Sequence, residues 1–239
     1  MPDRDRLIVA LDLPSATQAR RIVQEIGDAA TTYKIGKQLF TAEGPQIVRD
    51  LVASGRKVFL DLKYHDIPNT VTGAVKSAAD LGVSMLTVHA SGGSKMLKAA
   101  ADAASQSASQ PIVLAVTVLT SLADSDMQEL GISGTVLSQV LRLGALARAA
   151  GCGGLVASAH EARELRKVLG EGFVIVTPGV RPASTAAADQ ARVVTPCEAV
   201  AAGATRVVVG RPILEAPDPA KAVQQIQLEI EAACRQTVS

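Results

Sequence analysis

The chain has no tryptophan, and aromatic residues make up only 2% of its 239 residues. Any core must therefore be built mainly from Val, Ile, Leu and Ala. Cysteine is scarce as well. Cys152, Cys197 and Cys234 are far apart and odd in number, which fits neither a disulfide framework nor a zinc spacing. They read as three free thiols in a reducing cytoplasm. No sign of charge dominates: 24 Lys and Arg stand against 23 Asp and Glu, for a net charge of +1. With no basic run either, a general nucleic-acid partner is excluded. A local anion site stays open, because net charge says nothing about one pocket. No apolar run reaches the roughly 18 residues of a membrane span. Met1 to Arg6 is charged and leads straight into a strand pattern, without the apolar stretch of a signal peptide.

What is present is alternation. Short apolar runs fall at 7–11, 32–35, 58–62, 85–88, 112–119, 154–157, 173–176 and 206–209. Helix-like patterns lie between them at 15–26, 43–54, 71–81, 95–105, 135–150, 160–169 and 196–202, with a closing helix at 219–236. The Ala-rich stretch 99–108 reads as the end of a surface helix. Near-continuous Val/Ile/Leu strands suit a parallel sheet covered on both faces. Eight βα units in a chain of this length predict an α/β fold, a closed (β/α)₈ TIM barrel forming a single domain over 1–239. A doubly wound open sheet is the alternative. Against it, the first turn reads Leu11-Asp12-Leu13-Pro14-Ser15, with no G-x-G-x-x-G.

The segment Val58 to Thr70 is the most informative. Its apolar run ends in Asp61, Lys63 and Asp66, followed by Ile67-Pro68-Asn69-Thr70. Side chains alternate along a strand, so Phe59, Asp61 and Lys63 share one face. By the same count Ile8, Ala10 and Asp12 share a face, as do Thr32, Lys34 and Gly36, and Thr87 and His89. If these faces point inward, Asp12, Lys34, Asp61, Lys63 and His89 converge at the barrel's C-terminal mouth, where such barrels carry their chemistry. Buried charges are costly unless paired, so this constellation argues for catalysis.

The last two strands carry another signal. Thr177-Pro178-Gly179-Val180-Arg181-Pro182 follows the seventh, and Gly210-Arg211-Pro212 follows the eighth. Phosphates often sit on these two loops. Gly179 and Gly210 permit close backbone approach, and Arg181 and Arg211 offer planar forks to phosphate oxygens. The residues thus point to a barrel enzyme acting on a phosphorylated small molecule.

Asp61 to Thr70 resembles the signature of the orotidine 5′-phosphate decarboxylase family. The resemblance extends through Leu11-Asp12, Tyr33-Lys34-Ile35-Gly36, His89-Ala90-Ser91-Gly92-Gly93, Thr117 to Ser121, Thr177 to Pro182, Asp189-Gln190-x-Arg192, Thr195-Pro196 and Val209 to Ile213. Asp-x-Lys-x-x-Asp is shared with sugar-phosphate enzymes of the same superfamily. The Ile-Pro-Asn-Thr continuation and the Gln190 loop narrow it. Val180 stands where many relatives have Ile, and the loop from Pro182 to Asp189 is short and Ala-rich.

The resemblance implies release of CO₂ from orotidine 5′-monophosphate to give UMP, in pyrimidine nucleotide synthesis, with no metal and no organic cofactor. It implies that Lys63 stabilises a carbanion at C6 and protonates it, that Asp61 lies beside the substrate carboxylate, and that Lys34 and Asp12 hold the ribose and order the charges. It implies a homodimer in which Asp66, Ile67 and Thr70 enter the partner's site. Thr120 would line the pyrimidine side, while Gln190, Arg181, Gly210 and Arg211 would hold the phosphate, and 183–188 would form a lid. His65, His89 and His160 read as structural, and Cys197 as packing. A Mg²⁺-dependent sugar-phosphate enzyme and a non-catalytic nucleotide-binding barrel are the competing readings.

Overall fold

The computed structural model describes residues 3–182 and 194–236. Eight parallel strands close into a barrel in chain order, with β8 pairing back to β1. They are β1 (Leu7–Ala10), β2 (Thr32–Gly36), β3 (Lys57–Tyr64), β4 (Met85–His89), β5 (Ile112–Val116), β6 (Gly154–Val156), β7 (Val174–Thr177) and β8 (Arg206–Val209). Helices cover the outside. The first five are α1 (Ala16–Ile26), α2 (Lys37–Glu43), α3 (Gln46–Ala53), α4 (Pro68–Asp80) and α5 (Gly93–Ser105). Then come α6 (Asp124–Glu129), α7 (Val136–Ala149), α8 (Ala159–Leu169), α9 (Pro196–Ala201), α10 (Arg211–Leu214) and α11 (Pro219–Gln236). The open-sheet alternative is thereby excluded. No helix among the described residues is long and apolar enough to cross a membrane.

Alternation produces two cores. One set of strand residues, including Val9, Tyr33, Ile35, Val58, Leu60, Leu86 and Val88, packs outward against the helices. The other set fills the barrel: Ile8, Ala10, Phe59, Met85, Leu114, Val176 and Val208. Phe59 supplies the only ring in that inner set, so branched aliphatics do most of the filling. Continuing the inner face toward the C-terminal strand ends brings Lys34, Asp61 and Thr87 into line, as the period of two requires.

The structure differs from the sequence reading in four places. The helix expected over 43–54 is two helices, α2 and α3. Gly44 ends α2 with its backbone at φ +68, and Pro45 caps α3, because proline lacks the N–H to continue the first helix. The short helices α6 and α10 lie in loops with no apolar period to betray them. β5 stops at Val116 rather than 119. The Ala-rich stretch does end a helix on the outside of the barrel, but that helix is only half surface: Ala100, Ala103 and Ala104 are buried, so small side chains let α5 pack closely.

Candidate active site

At the C-terminal mouth four charges form a continuous chain. Lys34 Nζ donates to Asp12 Oδ1 at 2.7 Å and lies 3.9 Å from Asp61 Oδ2. Lys63 Nζ contacts both oxygens of Asp61 at 2.7 Å. Asp61 also accepts the Thr87 hydroxyl at 3.0 Å. Lys34 and Asp61 are the buried pair, with side chains 10% and 14% exposed, whereas Asp12 is 55% exposed at the rim. The chain thus runs from solvent into the barrel. Such pairs hold one another in place, but their desolvation is offset only when every partner is present.

Two backbone features build this arrangement. Gly36 ends β2, and a Cβ there would lie 3.0 Å from Lys34 Nζ and 3.1 Å from Asp12 Oδ1. Glycine makes room for the pair; its place at an inward-facing strand end was the sequence signal, although only its face was read. Lys63 adopts φ +56, a left-handed conformation that a residue with a side chain seldom holds. The register of β3 against β4 shifts between Leu60 and Tyr64, which places this strain in a bulge. Lys63 N–H donates to Thr87 Oγ1 at 2.9 Å.

A cavity of about 210 Å³ lies in front of the charges, lined by Lys34, Asp61, Lys63, Thr120, Pro178 and the apolar floor from Phe59 to Val208. Thr120 is exposed and also lines a wider neighbouring hollow of about 560 Å³ with Leu119, Pro178 and Gly179. Gly179 has φ +76, a conformation glycine adopts freely. The larger hollow is not where the charges converge: Glu161 and Asp124 beside it accept the Ser158 and Val136 N–H groups at the starts of α8 and α7.

Arg181 and Arg211 line one further hollow of about 440 Å³ with Pro212 and Glu215, at the ends of β7 and β8. Gly210 brings this region against β1, where a Cβ would lie 3.4 Å from Ala10 Cβ. Gln190 and the expected lid 183–188 lie outside the described residues. Asp66, Ile67 and Thr70 are exposed and line none of these three hollows; Asp66 Oδ1 accepts the Ile67 N–H at 2.6 Å. Within one chain, therefore, Asp12, Lys34, Asp61 and Lys63 come together, and Asp66, Ile67 and Thr70 stand apart from them.

His89 is half-buried at the mouth, its ring 5.4 Å from that of exposed His65. Burial lowers its pKa below the usual value, helped by His65, Lys37 and Lys63 and opposed by Asp61. His160 starts α8, as its position suggested. Cys197 packs partly against the core. Cys152 is buried, and burial pushes its thiol up to about 12, so it is an inert packing group. Among the described residues, no group of three or more His, Cys, Asp or Glu could hold a metal ion.

Comparison with known proteins bears on this geometry. A family model described as orotidine 5′-phosphate decarboxylase / HUMPS family matches residues 5–226. A protein of Halorhodospira halophila named orotidine 5′-phosphate decarboxylase is 50% identical over 233 residues, covering 98% of this chain and 99% of its own. One of the same name from Nitrosococcus oceani is 49% identical over 228 residues, 95% of this chain and 98% of that one. The crystal structure of orotidine 5′-phosphate decarboxylase from Lactobacillus acidophilus superposes with a TM-score of 0.85 at 39% identity, over 95% of this chain and 99% of that one. With its barrel, its charged mouth and these full-length likenesses, the chain belongs to the orotidine 5′-phosphate decarboxylase / HUMPS family.

Proposed function

We propose that the protein converts orotidine 5′-monophosphate into UMP and CO₂ at the C-terminal mouth of the barrel. The observation that carries this reading is the Asp12–Lys34–Asp61–Lys63 chain facing an apolar-floored cavity. Full-length relatives bearing the decarboxylase name support it.

The chemistry is demanding. When the C6–carboxylate bond breaks, CO₂ leaves and its electron pair stays at C6, with no adjacent π-acceptor. A cation must stand ready there. The Lys63 ammonium is fixed by two contacts to Asp61 before substrate arrives, so it stabilises the developing charge without reorganising. It then gives its proton to C6, forming UMP, and is reprotonated by water. Asp61 lies beside the substrate carboxylate and orients Lys63. Lys34 and Asp12 hold the ribose hydroxyls, and Thr120 borders the pyrimidine.

Arg181, Arg211 and the Gly210 backbone receive the phosphate, joined by Gln190. These contacts are remote from C6, but binding energy realised there favours the closed, water-free site in which the charges act most strongly. The reaction draws on no metal and no organic cofactor. The enzyme is a homodimer. Asp66, Ile67 and Thr70, exposed on one chain, complete the partner's site; Ile67, at 66% exposure, is a large apolar side chain awaiting cover.

The test is the ultraviolet absorbance of orotidine 5′-monophosphate with purified protein in excess EDTA. Loss of the substrate spectrum with UMP formed is expected. An unchanged spectrum with folded protein would overturn the reading.

A further inference from the structure

We propose that Thr87 is a positioning residue for this reaction, setting Lys63 and Asp61 together; the proposal rests on the reading of those two as the reacting groups. Leu60 of β3 pairs with Leu86 of β4, and Tyr64 pairs with Val88. Between these pairs, Asp61, Leu62 and Lys63 face the single residue Thr87. A bulge leaves backbone groups of the longer strand without ladder partners, and a buried N–H left unpaired is costly. Here a side chain takes the ladder's place. Thr87 Oγ1 accepts the Lys63 N–H at 2.9 Å and donates to Asp61 Oδ1 at 3.0 Å.

Only a group that accepts and donates at once meets both demands. A hydroxyl does so in a volume that valine would also fill. Thr87 is fully buried and does not line the 210 Å³ cavity, so it acts through its two neighbours and never on substrate. With the Lys63–Asp61 ion pair, its two bonds close a ring through three residues. That ring holds Lys63 at φ +56, a conformation that persists only where the surroundings over-determine it. The ammonium is thereby referenced to β4, a rigid barrel strand, with the fixed geometry that such chemistry needs. Sequence alternation placed Thr87 on one face with His89 but could not reveal the bulge that gives it this task.

The test compares kcat and the Kd for UMP across wild type, Thr87→Val, Thr87→Ser and Lys63→Ala. Thr87→Val should lower kcat about 10²-fold while leaving UMP affinity within about threefold. Thr87→Ser, which keeps the hydroxyl, should recover most of the loss. Thr87→Val with kcat near wild type, Thr87→Ser as slow as Thr87→Val, or kcat and UMP affinity falling together would each overturn the proposal. Should Thr87→Val fail to fold, Thr87→Cys keeps the volume and weakens both bonds; a wild-type kcat in that variant is equally contrary. Inactive wild type, or an active Lys63→Ala, would instead remove the reading on which the proposal stands.

Discussion

At the N-terminal end of the barrel, several long polar side chains bond to backbone carbonyls, beside ion pairs such as Lys57–Asp5; at the C-terminal mouth, Lys34 and Lys63 bond to carboxylates that border a cavity. Arg166 is the clearest case below. It donates to the carbonyls of Gly170, Glu171, Phe173 and Gly203, joining the chain entering β7 to that entering β8. Arg206 reaches the Asp5 carbonyl, Arg56 that of Ala30, and Gln227 that of Ala29. These bonds fix the frame, and none of the four side chains lines the hollows described above. Above, Lys34 and Lys63 bond to carboxylates in front of an open cavity. Each lysine keeps at least one donor for a ligand, and one sits on strained backbone. On the proposed function, the same residue types serve stability at one end and chemistry at the other, according to whether they border a cavity.

If that contrast is right, substitutions at the two ends should separate activity from stability. After Lys63→Ala, the largest effect concerns the exposed segment beside the mouth. Asp66→Ala should lower turnover by roughly 10²–10³-fold, as for other lost transition-state contacts, with little change in thermal midpoint. Mixing it with inactive Lys63→Ala should restore some activity through hybrid dimers. No recovery, with subunit exchange demonstrated, would mean each site is built from one chain.

Next is Arg211→Ala, which should weaken UMP by about 1.5–3 kcal/mol, roughly ten- to 150-fold, and uridine hardly at all. Equal losses measured by calorimetry would put the phosphate elsewhere. At the other end, Arg166→Ala should cost about 2–3 kcal/mol of stability through orphaned carbonyls, read as a lower thermal midpoint, with kcat unchanged below that midpoint. A selective loss of kcat would break the division between the ends.

The smallest effect is at Asp5. Burial pushes its carboxyl up, but the hydrogen bond and charge of Lys57, with Thr31 and Arg206, bring it below the ordinary 3.8. A carboxylate with a lowered folded pKa stabilises above the unfolded value, and that contribution vanishes as pH falls through the folded one. Asp5→Asn should therefore cost about 1 kcal/mol or less at neutral pH, a cost that shrinks as pH falls through the lowered carboxyl pKa, as denaturant melts over a falling pH series would show.

Much of this was legible beforehand, for a physical reason. The period of two needs no tertiary information, so Ile8–Ala10–Asp12 and Phe59–Asp61–Lys63 could each be assigned to one face from spacing alone, and the barrel then decides which face is inside. The barrel followed from eight such runs with helical patterns between them. What escaped depended on one backbone angle or on a neighbour across the sheet. Gly44 and Pro45 split a helix whose apolar pattern looked continuous. The bulge at Lys63 arises from register against β4, which no single strand encodes. Thr87 and Gly36 look ordinary until the charges they support are placed beside them. The buried stripe of Ala100, Ala103 and Ala104 on this outer helix escaped because alanine carries little apolar signal of its own.

The central claim is that Lys63 performs the chemistry while the lower end holds the fold. It is tested most directly by measuring turnover of orotidine 5′-monophosphate by Lys63→Ala, with folding checked by its thermal midpoint. The account predicts nearly complete loss of turnover in a protein that melts close to wild type. Substantial turnover in that folded variant would contradict it.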